Sequence, residues 1–112
     1  MTEKIPYSSF QKLDLRVGEI LEVNEHPNAD KLFVLRVDLG EDSSRTIVAG
    51  LKAYYSADEL IGKKAIFVAN LEPAILRGVE SNGMILAASN EDKSEVKILT
   101  VDGDIETGVR VS

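Results

Sequence analysis

Apolar and polar residues alternate most cleanly from Leu32 to Leu39. There Phe33, Leu35, Val37 and Leu39 fall on one face, and Arg36 and Asp38 on the other. A period of two predicts a half-buried strand. Leu15 to Val23 predicts another, with Val17, Leu21 and Val23 on one face and Gly18 breaking the run. A glycine inside a strand marks a bulge or a close approach, and in a small barrel it lets one long strand bend and serve two sides. Between these strands, Glu25 to Lys31 is a turn built on Pro27-Asn28. Gly40 to Ser44 is a polar hairpin loop, and Arg45 to Ala49 pairs back as a third strand. Ser56-Ala57-Asp58-Glu59 has the spacing of a capping box and starts a short helix that Gly62 ends.

Lys63 to Asn70 reads as the fourth strand and Met84 to Ala88 as the fifth, joined by a long loop carrying Pro73 and Gly78. Val96 to Thr100 and Val109 to Val111 are β-like, with a tight turn at Asp102-Gly103. Ser8 to Lys12 forms a short N-terminal helix anchored by Phe10 and Leu13. Three strands, a helix and two strands is the order of an all-β, five-stranded OB-fold barrel. The short helix lies between strands 3 and 4, and an extra β segment follows at the C-terminus.

A chain of 112 residues is expected to form one domain over 1–112 and to bury roughly 65% of its unfolded surface. No apolar run reaches the ~20 residues that span a bilayer, and the start lacks a signal-peptide segment, so a cytoplasmic protein without membrane contact is expected. The absence of cysteine removes disulfides, thiolate chemistry and Cys-ligated zinc. The net charge of −6 confines any nucleic-acid site to a local basic patch, because affinity for phosphates rests on releasing counterions.

Catalytic chemistry finds no support. His26 is the single histidine, it precedes Pro27, and nothing local supplies the constellation of nucleophile, base and orienting carboxylate that catalysis needs; shaping a turn is its expected role. The glycines are isolated, so no phosphate-cradling loop is present and no cofactor is implied.

RNA binding remains. In an OB-fold the loop between the first two strands and the loop between the last two flank the ligand face. Here these loops carry Asn28 to Leu32 and Leu71 to Asn82. Lys31 offers a compact charge to a phosphate and Arg77 a planar fork. Asn28, Ser81 and Asn82 suit ribose hydroxyls or base edges, and Met84 offers a polarizable surface to an unstacked base. Each has a plainer reading: Asn28 and Asp30 as caps of their own turn, Ser81-Asn82-Gly83 as a tight turn, Met84 as core. Arg36 and Lys52 are weaker basic candidates. Tyr54 and Tyr55 either stack on bases or, more in keeping with a barrel, cap the end of the core. Three Phe, three Tyr and no Trp argue against a general single-stranded-DNA binder.

Five stretches, read in order, carry a resemblance over about Phe10 to Val111. They are Asp14 to Gly18 (DLRVG), His26 to Leu32 (HPNADKL), Val37 to Gly40 (VDLG), Ile47 to Leu51 (IVAGL) and Asn70 to Ser89 (NLEPAILRGVESNGMILAAS). The chain resembles the tRNA-binding domain found at the C-terminus of methionyl-tRNA synthetases, in stand-alone tRNA-binding proteins and in synthetase-associated cytokine-like proteins. The resemblance implies the OB-fold, a C-terminal module packed on the barrel, a homodimer, and tRNA and the synthetase catalytic chain as partners. It places Asn28, Lys31, Arg77, Ser81 and Met84 in motifs associated with tRNA binding. The segment Lys52-Ala53-Tyr54-Tyr55 is less basic than in many relatives. The adenylate-forming signature needs two histidines, so this chain is expected to be an accessory module and not an enzyme. A related branch, the CsaA-type chaperones, shares the fold but binds unfolded or exported polypeptides, and is the alternative.

Overall fold

The computed structural model describes residues 2–112. In chain order the elements are α1 (Tyr7–Gln11), β1 (Leu15–Glu25), β2 (Phe33–Asp38), β3 (Arg45–Ala49), α2 (Ala57–Leu60) and β4 (Lys64–Val68). Then come β5 (Ala74–Leu76), β6 (Val79–Ser81), β7 (Met84–Ile85), β8 (Ala87–Ser89), β9 (Val96–Ile98) and β10 (Arg110–Val111). Strands β3-β2-β1-β4-β7 lie side by side as an antiparallel, mostly closed five-stranded barrel of the OB type, with β10 added to β1.

The long strand β1 serves both sides, as its length predicts: Glu19 to Glu25 pair with β2, and Leu15 to Glu19 pair with β4. The bend falls elsewhere than expected. The register slips between Ile20 and Glu22, so Leu21 is the unpaired extra residue. Ile20 is completely buried in the barrel, and the slip brings Val23 to the same side. Val17 lies in a second cluster on the other face, so Val17, Leu21 and Val23 do not share a face. Gly18 is instead a close-approach position. A methyl group there would lie 2.6 Å from Leu39 Cδ2 and 2.7 Å from Phe67 Cδ1.

Strand β4 is buried on both faces, which explains its unbroken apolar sequence. Ala65 and Phe67 join Ile20, Leu35, Val37, Ile47 and Leu60 inside the barrel. Ile66 and Val68 join Leu15 and Val17 in a second cluster, covered by Phe10 from α1 and by Leu86, Val101, Val109 and Val111. The C-terminal segment is therefore a lid on the outer face of β1 and β4. Phe10 anchors α1 as expected; Leu13 stays 39% exposed and does not.

The capping box forms: Ser56 Oγ accepts from the Glu59 amide at 3.3 Å, and Glu59 Oε1 accepts from the Ser56 amide at 2.7 Å. Tyr55 packs against the barrel core and its hydroxyl accepts from the Ile98 amide at 3.1 Å. Two expectations change. The long loop holds a hairpin, β5–β6, and the expected fifth strand divides at Leu86. Met84 and Ile85 pair with β4, while Ala87 to Ser89 pair with β9.

Candidate nucleic-acid interface

The β1–β2 loop and the β5–β6 hairpin meet through His26. This side chain is 6% exposed. Nδ1 accepts from the Asn28 amide at 2.9 Å, and Nε2 lies 2.9 Å from the Leu76 carbonyl oxygen. A neutral ring protonated at Nε2 satisfies both bonds, one within its own loop and one to the hairpin. The turn-shaping role is borne out and extended, since one imidazole fixes two segments fifty residues apart. Asn28 adds a second tie, its Nδ2 donating to the Arg77 carbonyl at 3.3 Å.

The hairpin turns over Arg77-Gly78, with φ of +54° and +92°. Positive φ at both central residues is the type I′ arrangement, which normally selects Asn-Gly. Arginine in the first position is held in a conformation that costs it about 1 kcal/mol or more. Its side chain is presented at the tip of a two-stranded arm.

Lys31 and Arg77 line one cleft of about 480 Å³ with Ala29, Asp30 and Leu32. Both are exposed, and neither is ion-paired among the described residues. The weaker candidates differ. Arg36 donates to Glu22 at 3.1 Å and to Ser44 at 3.2 Å, and Lys52 is paired with Glu25. The hydrogen bond from Arg36 holds the Glu22 carboxyl below its ordinary range, and the bond from Lys52 does the same to Glu25. Those carboxylates stay charged and oppose phosphate near either cation.

Ser81 is placed inside the fold. It is 4% exposed; its hydroxyl accepts from the Val48 amide at 2.9 Å and donates to the Gly83 carbonyl at 3.0 Å. With the Asn82 amide donating to the Thr46 carbonyl at 2.8 Å, it closes the barrel between β3 and the corner before β7. It supports the fold and is not a surface contact. Asn82 itself is half-buried and faces a separate cleft lined by Ser43, Thr46 and Leu71. Met84 is 45% exposed and lines a third groove, so its side chain is not core. Asp30, next to Lys31 in sequence, lines the same cleft, and only the fold brings Arg77 to the pair.

The barrel, with a cleft between the β1–β2 loop and the arm before the last barrel strand, has the architecture of a small OB-fold module. Residues 15–110 match the family model described as "Putative tRNA binding domain". The chain belongs to this tRNA-binding domain family. It is 54% identical over 109 residues to the methionine–tRNA ligase of Pyrococcus horikoshii, covering 97% of this chain and 15% of that ligase. It thus spans about a seventh of the relative's length. The MetRS-related protein of Pyrococcus horikoshii superposes with a TM-score of 0.91 at 37% identity, over 99% of this chain and 100% of that one. The CsaA chaperone protein of Picrophilus torridus superposes with a TM-score of 0.86 at 35% identity, over 97% and 100%.

Proposed function

We propose that residues 1–112 act as one tRNA-binding module that raises the hold of a methionyl-tRNA synthetase on its tRNA. Lys31 and Arg77 grip phosphates, and Asn28 holds the two loops in register. A weak site becomes useful once it is tethered beside a catalytic chain, because the second contact is then intramolecular. A homodimer would present two such faces in the same way. The observation that carries this reading is the convergence of two unpaired cations in one cleft of an otherwise acidic protein. Few cations mean few phosphate contacts, so log affinity should fall with log salt on a shallow slope.

Titration of mixed tRNA across a salt series, against an unstructured RNA of equal length, tests the proposal. Preference for tRNA, lost in Lys31→Ala and Arg77→Ala, supports it. No preference even at low salt overturns it. The likeness to a chaperone favours a second reading, in which exposed apolar residues such as Ile75 (73% exposed) engage unfolded polypeptide. Suppression of aggregation of an unfolded client, unaffected by excess tRNA, would select that reading.

A further inference from the structure

The groove lined by Met84, of about 270 Å³, adjoins the Lys31–Arg77 cleft. Its walls include Leu51, Tyr54, Met84, Ile85 and Val96, and Lys93 stands at its edge. The two depressions share a boundary: Leu32 lines the first and Gly50 the second, and a methyl group at Gly50 would lie 3.8 Å from Leu32 Cδ2. Among the described residues, the two non-glycine residues at positive φ are Arg77 and Lys93, at +54° and +56°. Both are cations, one on each depression, and left-handed backbone is rare for such side chains. The Tyr54 hydroxyl donates to the Lys93 carbonyl at 2.8 Å and pins that strained turn against the groove. Of the charged residues in the Asn90–Glu95 turn, Lys93 alone lines it; Asp92 is turned back onto Ser94.

We infer that this groove receives a single unpaired nucleobase, flanked by phosphates held at Lys31–Arg77 on one side and at Lys93 on the other. The inference rests on the RNA-binding reading and names the ligand class more closely: folded RNA with one base out of the stack. Apolar walls with a phenol ring and a thioether accept the flat face of any base, so the contact tolerates sequence. Cations on both sides suit a ligand charged at each of its links, which an apolar peptide side chain is not.

The test compares an RNA hairpin carrying one unpaired 2-aminopurine with the same hairpin lacking that nucleotide. The unpaired form should bind about tenfold more tightly, within the range for one base stacked on an aromatic ring, and its fluorescence should change on binding. Tyr54→Leu should erase the difference and leave the fully paired hairpin's affinity unchanged. Lys93→Gly, which relieves the left-handed residue, provides a second variant with the same expected direction. Arg77→Ala should weaken both hairpins equally. Equal affinities without a fluorescence change, alongside retained sensitivity to Arg77→Ala, would overturn the base groove and leave the RNA reading intact. Binding of neither hairpin at low salt would overturn both, and displacement of the 2-aminopurine signal by an apolar peptide at equal hairpin affinities would assign the groove to polypeptide.

Discussion

Replacing Arg77 by Asn should make the protein more stable and a worse RNA binder. Arg77 stands at φ +54° in the first central position of a two-residue hairpin turn, where asparagine is the preferred residue. Left-handed backbone costs an ordinary L-residue about 1–2 kcal/mol, and asparagine bears it far better. The Arg77 carbonyl that accepts from Asn28 is backbone and survives the change. A gain of about 1 kcal/mol follows. With 112 residues at about 2.1 cal/mol/K each, the unfolding entropy is about 0.24 kcal/mol/K, so the midpoint should rise by about 4 °C.

Loss of the guanidinium removes charge-assisted hydrogen bonds worth about 1.5–3 kcal/mol, or ten- to hundredfold in affinity. The slope of log affinity against log salt should shrink by about one phosphate contact. Thermal melts and tRNA titrations at several salt concentrations read both quantities. Arg77→Lys, which retains charge and left-handed strain, should show no gain in melting temperature. An Arg77→Asn protein that melts lower, or binds tRNA as well as the parent, would refute the claim that this position trades stability for a contact.

Three further outcomes are expected. Ser81→Ala leaves the buried Val48 amide without its acceptor, costing about 1–3 kcal/mol in denaturant titrations while folded protein binds tRNA normally; an affinity loss without destabilisation would contradict this. Asp30→Asn removes a carboxylate from the Lys31–Arg77 cleft and should tighten tRNA binding about two- to fivefold at low salt, an effect absent at high salt. The hydrogen bonds from Arg16 hold the Asp14 carboxyl below its ordinary range. A depressed value gives stability that is present above the unfolded pKa and is lost as pH falls through the folded one, so Asp14→Asn should flatten the acid limb of the stability curve below about pH 4.

The barrel was legible because its strands are patterned locally. Phe33, Leu35, Val37 and Leu39 declare their face by alternation, and Ser56 with Glu59 declares a helix start. A one-residue slip is not local: pairing with β2 makes Leu21 the extra residue and so brings Val23 to the same side as Ile20, which strict alternation from Val17 does not announce. The β5–β6 hairpin was hidden because arginine occupies a turn position that asparagine normally announces. Lys31 and Arg77 could be named from their loops, but not placed in one cleft; that depends on the reach of His26 to Leu76. Ser81 looked like a surface hydroxyl in a polar turn. Its burial is set by the closing of the barrel against β3.

The pairing of cations has a consequence for timing. Arg16, Arg36, Arg45, Lys52 and Lys64 are each held by a carboxylate, and the whole chain still carries −6. Most of the surface therefore repels a polyanion, and an RNA that arrives at the wrong angle leaves at once. Productive encounters are selected by dwell time more than by attraction at a distance. The same repulsion speeds departure once the grip loosens, so a polyanion bound at the Lys31–Arg77 cleft would be held only briefly.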